Sequence, residues 1–160
     1  ASEVVELPLL PPPSPARCAE LLAEAQAARE RLPATAGRGQ RWMADAAVAW
    51  AESIARLPAT PRSMPYEIQV VRVGDGALVA LPGEVFVEYG QRIAAASPLP
   101  VTAVAAYASD CPGYIPTTAA YAEGGYEVEN AIRYYGTTMP TPDLEERIIA
   151  AATRLLHAVG

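Results

Sequence analysis

Sixteen of the 160 residues are proline, about twice ordinary usage. Proline fixes φ and has no N–H to give, so it is excluded from helix interiors and central strands. Here the prolines are spread as punctuation: "PPPSP" at 11–15, "LPATPRSMP" at 57–65, "LPG" at 81–83, "SPLP" at 97–100 and "MPTP" at 139–142. The chain between them has to fold as short helices and strands with frequent turns. Hydrophobic residues make up 51% and charged residues 19%, a globular composition. At this length, residues 1–160 form a single domain or part of one, with enough apolar side chain for a core.

The net charge of −6, with no run of arginines, argues against nucleic acid as a main partner, because phosphate neutralisation needs clustered cations. Cys18 and Cys111 lack C-x-x-C spacing and make neither a metal knuckle nor a disulfide framework. No apolar run approaches the ~20 residues of a membrane-spanning helix. No signal-peptide pattern opens the chain. "ASEVVELPLL" enters a strand-like segment at once and has no initiator methionine, which suits a processed start or a piece of a longer protein.

The elements follow from period and punctuation. "EVVELPL" reads as a strand closed by "PPPSP". Ser14 is then an N-cap with Pro15 in the first helical position, and Cys18, Leu21, Leu22 and Ala25 form the apolar face. A second helix is expected over Arg38–Leu57, with Trp42, Ala46, Ala49, Trp50, Ile54 and Leu57 near helical spacing. Together residues 14–57 predict a helical hairpin. "YEIQVVRV" and "ALVALPG" flank "GDG" and predict a β-hairpin. "PGEVFVEYGQRIAAASP" switches to helical period, with Tyr89 or Gly90 beside Ile93 on one side. "VTAVAAYA" is expected to be a short buried strand. Residues 142–159 predict a closing helix with Asp143 and Glu146 as its cap and Ile148, Ile149, Ala152, Leu155 and Leu156 as its stripe. The fold class is therefore α/β, with mixed α+β layers and strands interleaved with helices.

Two places could carry chemistry. Glu84 follows a strand at "LPGE" and is expected to open the next helix, where the positive end of the dipole favours an ionised carboxylate. It either complements that dipole or belongs to a site at the strand end. "GYIPTTAAYAEGGYE" places Tyr114, Tyr121 and Tyr126 on a glycine-framed loop after the next strand. These phenols either cover a core edge or aim their hydroxyls at a ligand. Asp110 at the strand exit reads as a turn residue, a supporting acceptor or a ligand. His157, the single histidine, sits late in the last helix as a surface or packing residue.

"IQVVRVGDGALVALPGEVFVEYGQRI" followed by "GYIPTTAAYAEGGYEVE" resembles the end of the catalytic domain of neutral/alkaline non-lysosomal ceramidases and their bacterial relatives. The resemblance is good over residues 66–135. It implies a zinc-dependent amidase that hydrolyses the N-acyl amide bond of a lipid-like substrate with zinc-bound water. It implies that Glu84 and Tyr114 are zinc ligands and that Tyr126 donates to the scissile carbonyl as it gains charge. Tyr121 matches a family tyrosine without an assigned role. The two zinc histidines of the pattern belong to an upstream half, which this chain would need as a partner. "SDCPGY" stands where the family carries an asparagine-containing stretch. Without the upstream half, bare surface is expected around "VVELPLL" and "YEIQVVRV". The other reading is a non-catalytic domain that keeps the fold and binds a ligand or partner in the same cleft.

Overall fold

The computed structural model describes residues 1–160. In chain order the elements are β1 (Ser2–Pro8), α1 (Pro15–Glu30), α2 (Arg38–Ile54), β2 (Ser63–Val73), β3 (Gly76–Ala80), β4 (Glu84–Val85), α3 (Val87–Ala95), β5 (Val101–Ala105), β6 (Tyr114–Ile115), α4 (Thr118–Glu123) and α5 (Leu144–Val159). A π-helical turn (Tyr126–Asn130) and a 3-10 turn (Ala131–Tyr134) lie between the last two helices. The architecture is mixed α/β. Four strands form one sheet in the order β1-β2-β3-β5, antiparallel except for the parallel β3–β5 pair. The β2–β3 hairpin turns at Gly74–Asp75, and the φ of +59° at Gly74 is the geometry a two-residue II′ turn needs at its first position.

Period-two alternation sets the core. Tyr66, Ile68 and Val70 of β2 and Ala77 and Val79 of β3 point to one face and are buried. Over that face lie Tyr89 and Ile93 of α3 and Leu144, Ile148, Ala152 and Leu156 of α5. Three tyrosines are tied into this layer by hydroxyl bonds to proline carbonyls. Tyr66 donates to Pro82 O at 2.8 Å, Tyr89 to Pro116 O at 2.9 Å and Tyr121 to Pro140 O at 2.8 Å. Burial raises the pKa of all three phenols, so they stay protonated donors.

The opposite face of the sheet is bare. Val4, Val71, Val73, Leu78 and Val101 are exposed, and Val71, Leu78 and Ala103 stand side by side across three strands. Hence β5 is not the buried strand expected: it is the sheet's edge, and Val101 is 66% exposed. An apolar run shows that both faces could be covered, not that anything covers them.

The helical hairpin forms with Ser14 as N-cap, its Oγ accepting from Arg17 N at 3.2 Å. Its stripes differ from the expected ones. In α1 only Cys18 is buried, with Leu21, Leu22 and Ala25 half-covered. In α2 the buried residues are Val48, Ala51 and Ile54, whereas Trp42 is 61% exposed, and the helix ends at Ile54 rather than Leu57. In α1 alanine on nearly every side leaves little contrast between faces, so its stripe could not be oriented from period alone.

The closing helix keeps its expected stripe, but its cap does not form. Asp143 makes no capping bond; it accepts instead from Thr141 and from Arg147 Nε at 2.6 Å. Glu146 pairs with Arg92 at 2.7 Å. The carboxylate that matters is the buried Glu145, which accepts from Thr118 N at 2.7 Å and Arg92 Nη1 at 2.7 Å. It joins the first turns of α4 and α5 to the last turn of α3. Burial would raise its pKa, but the Thr118 and Arg92 bonds outweigh that and hold it below the usual glutamate value.

Glu145→Ala should lower unfolding free energy by about 1–3 kcal/mol in urea titrations, the range for charged hydrogen bonds. A lowered folded pKa means that the stabilisation is complete above the unfolded value of about 4.3 and is lost as pH falls through the folded one. The variant should therefore lose less stability than the parent between neutral pH and pH of about 3.

Candidate functional site

After β3 the chain turns at Gly83, with φ of +83°. A Cβ there would lie 2.6 Å from Gly113 O, so only glycine fits. The close approach lets two segments pair: Gly83 N donates to Asp110 O and Glu84 N to Gly113 O, both at 2.9 Å. The result is the short parallel pair β4–β6, in which Glu84 stands directly opposite Tyr114. Gly113, at φ +115°, lies against the Tyr135 ring, which a Cβ would meet at 3.2 Å.

Glu84 does not open the helix, contrary to the sequence expectation. The pairing with β6 keeps it extended, α3 starts only at Val87, and its first-turn carboxylate is Glu88. The Glu84 side chain meets phenols instead. Tyr107 donates to Oε2 at 2.7 Å and Tyr135 to Oε1 at 3.2 Å. Tyr114 closes on the same carboxylate more loosely. Burial pushes the Glu84 pKa up, and the three phenols outweigh it and hold the group below the usual carboxylate range. The same contact, with some burial, pushes the Tyr114 phenol up to about 12. Tyr107 is raised chiefly by its bond to Glu84, and Tyr135 by burial and by the adjacent Cys111 and Glu84.

Tyr126 begins the π-helical turn after Gly124 and Gly125 and is 48% exposed. Its ring meets that of Tyr114 edge-on, with centroids 6.1 Å apart and planes at 80°. The structure thus gathers Glu84, Tyr114 and Tyr126 in one place. Tyr121 is not among them, because its hydroxyl is spent on Pro140 and its ring packs on the core. Asp110 lies in the loop between β5 and β6, where its Oδ1 accepts from Cys111 N at 2.7 Å and its backbone carbonyl from Gly83 N. His157 is exposed on the last turn of α5.

Tyr107 and Tyr135 were not read from sequence. Tyr107 leaves β5 as Tyr114 leaves the following loop, and that shared geography was the available signal. It is 63% exposed and held at φ +56°, two residues before Ser109 at φ +70°. Two left-handed residues without glycine's freedom mark a loop whose conformation the surroundings impose. Nothing in "RYYG" distinguishes Tyr135 from Tyr134.

A carboxylate offers about four lone-pair positions, and two of those on Glu84 are engaged by directed hydrogen bonds. The others, with the Tyr114 oxygen, could serve a hard or borderline cation from one side. Three protein ligands are usual for catalytic zinc, and no group of three or more His, Cys, Asp or Glu residues lies together in the chain. The chain's own donors therefore fall short of a complete metal site.

Tyr107→Phe and Tyr135→Phe should each raise the Glu84 pKa towards the ordinary glutamate value, whereas Tyr121→Phe should leave it alone. Carbon-detected NMR titration of the glutamate carboxyls reads this out. An unmoved Glu84 in both site variants would show that the phenols do not hold its charge.

No family model matches the chain, and no curated protein does. Among solved structures, the crystal structure of neutral ceramidase from Pseudomonas aeruginosa is similar, at 23% sequence identity and a TM-score of 0.44. The match covers 64% of this chain and 17% of that one, so the chain corresponds to a small part of the ceramidase's length.

Proposed function

We propose that this chain supplies one flank of the active site of a zinc-dependent amide hydrolase acting on an N-acyl, lipid-like substrate. Glu84 and Tyr114 would be two of the metal ligands. Histidines from an upstream segment or a partner chain would complete the set. The observation that carries the reading is the β4–β6 register, which sets Glu84 opposite Tyr114 with the Tyr126 ring against it. The bare sheet face, with Val71, Leu78 and Ala103 in a row, supports packing against a further layer.

The division of labour follows from the side chains. Glu84 keeps a full negative charge, because three phenols oppose the effect of burial on it. Tyr107 and Tyr135 orient its two oxygens, as second-layer donors orient ligating carboxylates. When bound, the metal would supply Lewis-acid chemistry that polarises the carbonyl and acidifies water. Tyr126, half exposed beside Tyr114, would donate its O–H to the carbonyl oxygen as the carbon becomes tetrahedral. A second reading, a non-catalytic binding domain, draws on the fact that each Glu84 oxygen already accepts a hydrogen bond from within the chain.

The chain alone should hold no tight stoichiometric zinc, since Glu84 and Tyr114 fall short of the usual three ligands. Elemental analysis after dialysis checks this; one retained ion per monomer would mean the ligand set is different. In an assembly that restores the histidines, Tyr126→Phe should lower kcat for N-acyl amide hydrolysis about 10²–10³-fold with little change in KM. Tyr114→Phe should lower the zinc content, and Tyr121→Phe should do neither. An assembly that holds zinc but hydrolyses no N-acyl amide would favour the binding reading.

A further inference from the structure

Arg133 Nε is a buried nitrogen without a hydrogen-bond partner, and no other buried side-chain nitrogen or oxygen of the chain is left so. The two terminal nitrogens are not buried and make no hydrogen bond within the chain, so they are the end of the guanidinium that a ligand can reach. The guanidinium takes part in none of the chain's ion pairs, which use Arg17, Arg29, Arg92, Arg147 and Arg154. It rests over the Trp50 ring, 5.8 Å from the centroid, and Trp50 is itself fixed by donating Nε1–H to Thr137 O at 2.9 Å.

On the open side of α2 this cation borders a hollow of about 320 Å³, whose other walls include Trp42, Trp50, Ser53 and Tyr134. Trp42 and Tyr134 stack with centroids 5.3 Å apart and planes within 12°, and Trp42 remains 61% exposed. A smaller cavity that Trp50 and Arg133 also border is lined by Glu24, whose carboxylate pairs with Arg17 at 3.0 Å and makes no ion pair with Arg133.

We propose that this groove binds a small aromatic acid, with the carboxylate in the Arg133 fork and the ring against the tryptophan wall. A guanidinium presents parallel N–H groups that match a carboxylate, and it also stacks on aromatic faces. A volume near the lower end of ligand pockets, about 300–1,000 Å³, suits one or two rings rather than a long chain. The site is separate from the Glu84 cluster and stands independently of the hydrolase reading.

Isothermal titration calorimetry on the full chain tests the proposal with three probes. Indole-3-acetate has ring and carboxylate, tryptamine has the ring with the opposite charge, and acetate has the charge without the ring. Saturable one-to-one binding is expected for indole-3-acetate alone. Arg133→Gln and Arg133→Lys should each weaken it about tenfold or more, since charge and fork are both used. Trp42→Ala changes an exposed residue, should leave the circular dichroism spectrum unchanged, and should weaken binding by a similar factor. No saturable indole-3-acetate binding, equal binding of tryptamine, or unchanged affinity in the Arg133 and Trp42 variants would overturn it.

Discussion

Two buried phenol hydroxyls hold the Glu84–Tyr114 pair in place. Tyr66 reaches from the middle of the sheet to Pro82 O, and Tyr89 from α3 to Pro116 O. Those carbonyls sit on the segments that lead into Glu84 and out of Tyr114. A proline cannot anchor its segment through its own N–H, so its carbonyl is the backbone group available for fastening. With both tyrosines fully buried, the bonds form in a low dielectric and break only at high cost. The short β4–β6 pair, too small to persist by itself, is thereby held between two fixed points.

What is held is electrostatically unusual. A partly buried carboxylate would ordinarily drift towards its neutral form, and here three phenols reverse that drift. One of them hangs from a backbone forced left-handed at Tyr107, and another packs its ring on a glycine that tolerates no side chain. Strain and close contact are concentrated where Glu84 must be aimed, and the core absorbs their cost. The 3-10 turn that precedes Tyr135 also carries Arg133 and Tyr134. One short segment therefore faces the carboxylate cluster on one side and the tryptophan groove on the other.

The sheet itself is half a structure in energetic terms. One face is sealed by α3 and α5, while the other presents a row of aliphatic side chains between the edge strands β1 and β5. Burying that row would be favourable at roughly 25 cal/mol per Å² of apolar surface. A face of this kind is suited to being covered by a further packed layer.

The sequence by itself determined the longer elements and their order, though not the short β4–β6 pair. Proline spacing, the Ser14–Pro15 helix start, the "GDG" turn and the alternation of "YEIQVV" act over a few residues, where steric and hydrogen-bonding rules apply without knowledge of the rest. It also singled out Glu84, Tyr114 and Tyr126, through glycine framing and through resemblance. Only the tertiary structure decided that Glu84 stays extended and never joins α3, since the cause is Gly113 O, some thirty residues away. It alone decided that Tyr107 and Tyr135 share that carboxylate, that Tyr121 is spent on Pro140, and that Glu145 rather than the expected capping pair ties the helices together. In each case a polar side chain was assigned by a partner distant in the chain. Local pattern is silent there, because the energy of such a group depends on what surrounds it and hardly at all on its neighbours in sequence.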